Sequence, residues 1–177
     1  MPSSFDENKD VVKSWYDLIK PEQTVLDIGP GVGTYADLIV EKNGARWVGI
    51  EIWAPYIEKY ELTKKYDELV VADARYVDFA KFAPIDLIIA GDMIEHIDRD
   101  EAVKLLEDFK SHAKNFIISI PIVNIPQEVT TGNVWETHHH QWKFDEMKEL
   151  LGDGLTSSVR GTYLGYFLWR KPEHQGD

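Results

Sequence analysis

The sequence contains no cysteine among its 177 residues. Disulfide bonds, thiolate metal sites and a cysteine nucleophile are therefore excluded. It also has no apolar run near the ~20 residues that a membrane-spanning helix needs. The N-terminal stretch "MPSSFDENKDVVKSW" is polar and acidic, unlike a secretory or organellar signal. We therefore expect a reducing, cytoplasmic setting and no membrane partner.

Positive charge is also scarce, because 19 Lys and Arg stand against 31 Asp and Glu and give a formal net charge of -12. Most nucleic-acid-binding proteins present a basic surface, since neutralising phosphates supplies much of their affinity. The two modest basic clusters, Lys64–Lys65 and residues 110–114, are typical of solvated helix faces. The charge balance favours a small-molecule partner and makes nucleic acid an unlikely one.

What remains is an ordinary globular composition, and the length fits a single domain over residues 1–177. Apolar runs predict buried strands at 24–29, 46–52, 68–73, 85–92 and 115–122. Helical spacing and capping signals predict helices at 3–20, 34–44, 54–66, 99–112 and 143–151. Strands that alternate with helices predict an α/β fold, a Rossmann-like doubly wound sheet that is mostly parallel.

Four further segments complete the predicted organisation. Residues 156–171 read as two strands around a tight turn, which predicts an antiparallel C-terminal hairpin strand at the edge of the sheet. The others are an N-terminal helix, a substrate-side loop and a frayed tail, at 1–20, 121–142 and 171–177. The loop contains tryptophans and histidines, and its aromatic content argues against disorder.

A glycine-rich turn follows the first predicted strand in "VLDIGPGVGTY", residues 25–35. Gly29, Gly31 and Gly33 stand where the strand becomes a helix, which is where open α/β sheets bind ligands. Glycine permits tight dihedral angles there and lets a ligand approach the backbone. The spacing is GxGxG rather than the GxGxxG of dinucleotide folds, so an NAD-dependent oxidoreductase is disfavoured.

Acidic residues stand at the carboxyl edge of three consecutive strands. Asp27 lies on the first strand, while Glu51 and Asp73 end the second and third. These side chains should line one crevice, where Glu51 can accept from ribose hydroxyls and Asp73 from an adenine amino group. Asp27 would repel a pyrophosphate but would tolerate a cationic ligand with an amino acid tail.

The ordered set "VLDIGPGVGTY", "GIEI", "VVADA" and "GDMIEHI" resembles the class I S-adenosylmethionine-dependent methyltransferases, over roughly residues 20–170. The resemblance implies a seven-stranded sheet with its last strand antiparallel, and S-adenosylmethionine as the cofactor. It places the methionine part near Asp27 and the glycines, and the adenine near Ile52 or Trp53. The cofactor contacts it implies are Asp27, Gly29, Gly31, Gly33, Glu51, Ile52, Asp73, Ala74 and Asp92.

Asp92, Glu95 and His96 follow the fourth strand without a spacer. Their offsets of three and four would project them to one side of a helical turn. Three interpretations stay open. In the first, Asp92 contacts the cofactor or substrate, Glu95 forms a hydrogen bond with the backbone and His96 packs against neighbouring side chains. In the second, His96 or a histidine of the 138–140 run is a general base. In the third, the group holds a metal ion.

The metal interpretation comes from a second resemblance. "DMIEHI" followed by "HHHQWKFDEM" is similar to the metal-binding pattern of the small-RNA 3′-terminal 2′-O-methyltransferases and of the ubiquinone-pathway O-methyltransferases. It implies Mg²⁺ or Mn²⁺ as a possible second cofactor, with Asp92 in place of the usual Glu. The implied ligands are Asp92, Glu95, His96 and His138.

The sequence therefore predicts a methyltransferase that acts on a small acceptor at oxygen, with Asp92, His96 and His138 as catalytic residues. We expect the acceptor pocket between these residues and the 121–142 loop, with the N-terminal helix near Trp15 and Tyr16 as a cover. A metal-dependent RNA 2′-O-methyltransferase and a non-catalytic cofactor-binding partner subunit are the alternatives. A monomer and a homodimer are both compatible with the sequence.

Overall fold

The computed structural model describes residues 6–125 and 132–173. Parts of the predicted N-terminal helix, substrate-side loop and tail, at 1–5, 126–131 and 174–177, lie outside these ranges. The seven strands are β1 Thr24–Ile28, β2 Arg46–Glu51, β3 Glu68–Val71, β4 Ile85–Gly91, β5 Ala113–Pro121, β6 Leu155–Arg160 and β7 Leu164–Arg170. The α-helices are α1 Asp10–Ile19, α2 Thr34–Leu38, α3 Pro55–Lys59, α4 Arg99–His112 and α5 Phe144–Leu151.

The strands form one sheet in the order β3-β2-β1-β4-β5-β7-β6. β1 to β5 are parallel, and β7 runs antiparallel to both β5 and β6. The predicted Rossmann-like fold with its antiparallel C-terminal hairpin is confirmed. The strand order reverses between β1 and β4, and ligands bind in the crevice beyond the carboxyl ends at such a point.

Both faces of the sheet are covered, which explains why β1, β2 and β4 are buried along nearly their whole length. One apolar cluster packs β-strand side chains against α4 and α5. The other packs them against α1 and α2. Within the described part of the chain, each helix is too short or too polar to cross a membrane.

Three helices are clearly shorter than predicted, and the first of them, α1, begins only at Asp10, after a turn at residues 7–9. α2 ends at Leu38 instead of continuing to Gly44, because Ile39 leaves the helical conformation and becomes buried while Val40 is exposed. The helix predicted over 54–66 is broken at Glu61, which has a φ of 51°, and a short 3₁₀ turn follows. In the latter two places burial of the following residues outweighs local helix propensity.

Candidate functional site

A cleft opens at the carboxyl ends of β1, β2 and β4, where the strand order reverses. One side is lined by the glycine turn after β1, by the end of β2 and by the residues that directly follow β3. The other side is lined by the turn after β4 and by the segment 132–138. The sheet thus brings residues from distant parts of the chain to one site.

The glycine turn takes a backbone conformation that favours glycine. Gly29, Gly31 and Gly33 have φ angles of 65°, 54° and 82°, a region that L side chains adopt with strain. The amide of Gly29 donates to the carbonyl of Ile50 (2.9 Å), which fixes the turn to β2. Gly29 and Gly31 line the cleft, as does Pro30 between them.

Glu51 ends β2 and is buried. Its Oε2 accepts from the amide of Gly31 (3.2 Å) and its Oε1 from the amide of Trp53 (2.8 Å). Burial raises the pKa of this carboxyl despite these donors. Ile52 lines the cleft beside it, which places an apolar side chain where the adenine was expected.

Asp73 also lines the cleft, and Arg75 holds its carboxylate. The amide of Arg75 donates to Oδ1 (3.0 Å), and its guanidinium bonds to both oxygens. Burial opposes ionisation, but these bonds outweigh it and lower the pKa of Asp73. The same guanidinium donates to Glu101 at the start of α4, so Asp73 is held in a fixed orientation.

Asp27 and Gly33 do not line the cleft with the other predicted cofactor residues. Asp27 lies beneath the glycine turn, fully buried, and accepts from the hydroxyl of Tyr66. Burial raises the pKa of Asp27 to about 7. Gly33 faces Lys65, whose Nζ donates to the carbonyl of Val32 (2.8 Å) and braces the turn from outside.

Asp92 directly follows β4, and its amide still pairs with the carbonyl of Ser119 on β5 (3.0 Å). The hydroxyl of Ser119 donates to Asp92 Oδ1 (2.7 Å). Because that hydroxyl has a single proton, the Tyr35 hydroxyl 3.1 Å away must donate to it. Asp92 has a φ of 50°, and left-handed residues that are not glycine concentrate at functional sites.

Glu95 lies in a 3₁₀ turn, Ile94–His96, and is 2% exposed. Glu95 lies on the cleft wall, and no described residue forms a hydrogen bond with its Oε2. Burial, together with the charge of Asp92, raises the pKa of Glu95 well above its ordinary value. A buried carboxylate oxygen without a partner is costly, so a proton, a cation or a donor from a ligand would stabilise it.

His96 and His138 meet across the cleft, with ring centroids 4.8 Å apart. His96 Nδ1 lies 3.1 Å from the carbonyl of Thr137, which orients the ring and leaves Nε2 for other contacts. Burial lowers the pKa of both imidazoles below the ordinary 6.5. Neutral rings can act as metal ligands or as proton acceptors.

Glu95, His96 and His138 each offer one ligand atom, and these atoms lie within 4.8 Å of one another. Asp92 lines the same end of the cleft and contributes charge there, while its Oδ1 accepts from Ser119. We name Asp92, Glu95, His96, Glu136 and His138 the carboxylate–histidine end of the cleft. The predicted residues are therefore brought together, although their roles stay predictions.

The other two histidines of the run lie elsewhere. His139 Nδ1 lies 3.2 Å from Asp98 Oδ1, and His140 packs edge to face on Trp142, with centroids 4.5 Å apart. The amides of both residues lie within hydrogen-bond distance of the Glu95 carbonyl (2.8 and 3.2 Å). Their backbone therefore fixes the segment against the turn that carries Glu95, and His138 alone faces the cleft.

Sequence reasoning missed Glu136 and its neighbours. Glu136 is 9% exposed and lines the cleft, where its Oε1 accepts from the hydroxyl of Tyr56 (3.0 Å). Asn133 is buried beneath it, and its side-chain nitrogen lies 3.4 Å from the same oxygen. One acidic residue in a polar loop carries no distinguishing pattern, so nothing in the sequence could have identified Glu136 as a cleft residue.

The expected cover from the N-terminal helix is wrong. Trp15 and Tyr16 are buried on the α1–α2 face of the sheet, and neither lines the cleft. The Tyr16 hydroxyl donates to the carbonyl of Lys42 (2.9 Å), and its ring packs on Trp47. Trp142 is likewise a core residue, whereas Trp135 is 40% exposed and lines the cleft.

Comparisons with known proteins agree with this geometry. Residues 5–151 match a family model described as a methyltransferase domain. Phosphoethanolamine N-methyltransferase 2 of Caenorhabditis elegans is 30% identical over 108 residues, which cover 56% of this chain and 24% of that protein. The chain thus matches about a quarter of the length of this curated relative.

Solved structures share the fold. The N-terminal domain of EvdMO1 with SAH bound has a TM-score of 0.67 and 14% identity, covering 95% of this chain and 82% of that one. An S-adenosylmethionine-dependent methyltransferase from Clostridium acetobutylicum ATCC 824 gives 0.70 and 13%, covering 96% and 93%. The small RNA methyltransferase HEN1 gives 0.68 and 18%, covering 98% and 26%. These identities show a common fold and no more.

Proposed function

The chain belongs to the family of methyltransferase domains, and we propose that it transfers the methyl group of S-adenosylmethionine to an oxygen atom of a small acceptor, aided by a divalent ion. Use of this cofactor is supported by the family and by the SAH-bound structure that shares the fold. The observation that carries the acceptor part is the buried Oε2 of Glu95, which no described residue hydrogen-bonds, beside the imidazoles of His96 and His138.

The cofactor would occupy the glycine-turn side of the cleft. Gly29 and Gly31 present backbone without a Cβ, which suits close approach of the methionine part. Glu51 would accept from the ribose hydroxyls, with Ile52 against the adenine and Asp73 near its amino group. Asp27 lies beneath the turn, and we propose that it acts through the turn and Tyr66 rather than by direct contact.

Methyl transfer is an in-line displacement in which the acceptor oxygen attacks the methyl carbon and the carbon–sulfur bond breaks. The sulfur keeps the bonding electrons, and the acceptor loses its proton. Positioning of the two reactants can supply roughly 7–11 kcal/mol of the barrier reduction in well-oriented systems. Asp92, held by Ser119, would help to orient the acceptor. His96 or His138 could accept the acceptor's proton only while that imidazole is not bound to the ion.

The donor set at the carboxylate–histidine end fits a divalent ion. Octahedral coordination at about 2.1 Å places ligand atoms about 3 to 4 Å apart, so the three atoms found within 4.8 Å need only a small adjustment. Glu95, His96 and His138 would hold the ion, with Asp92 close by. A bound ion would lower the pKa of an acceptor hydroxyl, and the imidazoles favour Mn²⁺ over Mg²⁺.

A metal-dependent RNA 2′-O-methyltransferase is the second candidate. The same donor set favours it, and one structure that shares the fold is named a small RNA methyltransferase. The net charge of -12 counts against an RNA partner. A cofactor-binding subunit without catalysis is the remaining alternative, and a cytoplasmic location stays part of the proposal.

Methyl transfer from S-[¹³C-methyl]-adenosylmethionine to 4-methylcatechol tests the proposal. We expect a new O–¹³CH₃ signal by NMR that disappears after treatment with EDTA and returns with Mn²⁺. An RNA oligonucleotide with a free 3′ end serves as the competing acceptor. Methylation of the RNA but not of the catechol would favour the second candidate, and binding of S-adenosylhomocysteine without any transfer would support the subunit without catalysis.

A further inference from the structure

The carboxylate–histidine end of the cleft contains three carboxylates, those of Asp92, Glu95 and Glu136. Among the cleft residues that the structure describes, Arg75 supplies the single positive side chain. Its guanidinium is already engaged by two carboxylates, so a ligand at this end meets mainly negative charge.

The proposed divalent ion would be held by Glu95, His96 and His138, so the Glu136 carboxylate stands outside that donor set. Charge of one sign in a cleft attracts ligands of the opposite sign.

Glu136 and Trp135 are the residues at this end best suited to receive an organic cation. The Tyr56 hydroxyl bonds to Oε1 of Glu136 and fixes the carboxylate in place, and a carboxylate has about four acceptor positions. The adjacent Trp135 is partly exposed on the cleft wall. An aromatic ring attracts an ammonium group through its face, and a carboxylate accepts charge-assisted hydrogen bonds from it.

We propose that the acceptor carries a cationic amine in addition to the oxygen that is methylated, and that Glu136 and Trp135 bind this amine. The inference rests on the proposed function and narrows its substrate class. Acceptors with a phosphate or carboxylate are disfavoured by the same charges. We therefore do not propose, as an acceptor for this chain, the phosphorylated compound that appears in the name of the curated relative.

Three catechols that differ in side-chain charge test the inference: dopamine, 4-methylcatechol and 3,4-dihydroxyphenylacetate. With saturating S-adenosylmethionine and Mn²⁺, we expect kcat/KM for the amine to exceed that of the neutral compound by about 10- to 100-fold, the range of one charge-assisted hydrogen bond. The carboxylate should be the poorest acceptor. A carboxylate that reacts as well as the amine would overturn the inference.

Calorimetric binding of the same three compounds to protein saturated with S-adenosylhomocysteine gives a readout without turnover. Preferential binding of the amine without any methylation would count against the proposed function and leave the charge inference standing. Methylation without a preference for the amine would support the proposed function and overturn the charge inference. A methyl group found on nitrogen would support the charge inference and contradict oxygen as the acceptor atom.

Glu136→Gln provides the specific variant, because glutamine keeps an oxygen that can accept from Tyr56 while it loses the charge. We expect the ratio of kcat/KM for the amine to that for the neutral catechol to fall towards one. Glu149→Gln, at an exposed position on α5, is the matched control and should keep the ratio of the native protein. An unchanged ratio in Glu136→Gln would overturn the assignment of Glu136.

Discussion

The imidazoles of His96 and His138 lie edge to face with centroids 4.8 Å apart, although 41 residues separate them in the chain. The pairing depends on the segment after residue 132. Its backbone bonds to the Glu95 carbonyl, and its Thr137 carbonyl lies 3.1 Å from His96 Nδ1. Two separate sequence motifs thus form one site because backbone contacts fix them to each other.

Replacement of His138 tests this pairing. His138→Ala should weaken Mn²⁺ binding to protein saturated with S-adenosylhomocysteine by tenfold or more, since it removes one of three proposed ligands. His139→Ala is the matched control, because its side chain contacts Asp98 outside the cleft. Electron paramagnetic resonance of unbound Mn²⁺ measures both. Equal affinities in the two variants would indicate that His138 is not a ligand.

Loss of the Ser119 hydroxyl should affect Asp92. Ser119→Ala removes the 2.7 Å bond to Oδ1, and a hydrogen bond to a charged group contributes about 1.5–3 kcal/mol. We expect kcat to fall about tenfold or more, with little change in affinity for S-adenosylhomocysteine. Ser158→Ala, half-buried on the edge strand β6, is the control. A drop in cofactor affinity with unchanged kcat would contradict this role.

The glycine turn can be tested with two alanine variants that share the same backbone strain. Gly29 and Gly44 have φ angles of 65° and 78°, so alanine should cost about 1–2 kcal/mol of stability at either position. A Cβ at Gly29 would meet Met93 at 3.3 Å on the cleft wall, whereas one at Gly44 would meet nothing within 4 Å. Calorimetry should show weaker S-adenosylhomocysteine binding for Gly29→Ala alone. Similar affinities would place the cofactor elsewhere.

The Glu7 carboxylate fixes the N-terminal segment to the β6–β7 turn. It accepts from the amides of Thr162, Tyr163 and Leu164 at 2.7, 2.8 and 3.0 Å. These bonds lower the pKa of Glu7 from 4.5 to about 2. Because the folded-state pKa is depressed, the contribution to stability is complete above pH 4.5 and is lost as the pH falls towards 2.

Glu7→Gln should therefore melt at a lower temperature than the native protein at pH 7, and the difference should shrink as the pH falls below 4.5. Glu41→Gln, at an exposed position, serves as the control. Thermal melting followed by circular dichroism at several pH values measures the effect. A difference that stays constant between pH 7 and pH 3 would show that the charge of Glu7 is not responsible.

The parts of the site that the sequence could predict depend on the regular geometry of the sheet. Parallel strands end at one edge, so Glu51 and Asp73 had to lie near the glycine turn. The pairing of His138 with His96 was available only through a family resemblance. Residue spacing alone does not determine where a loop returns to the sheet.

Other features follow from tertiary contacts that leave no sequence pattern. Tyr66 reaches Asp27 from beneath the glycine turn, and Arg75, which holds Asp73, also bonds to Glu101, 26 residues later. Glu136 is placed in the cleft by its bond to Tyr56, 80 residues earlier. Side chains that meet across such separations are specified by packing, and packing is not visible in hydrophobic periodicity.

The central claim is that the carboxylate–histidine end holds a divalent ion beside the bound cofactor. Calorimetric titration of Mn²⁺ into metal-stripped protein saturated with S-adenosylhomocysteine tests it most directly. We predict binding of one ion in the native protein and its loss in Glu95→Gln, which removes the buried carboxylate but keeps its shape. Absence of binding in the native protein, or equal binding in both, would contradict the account.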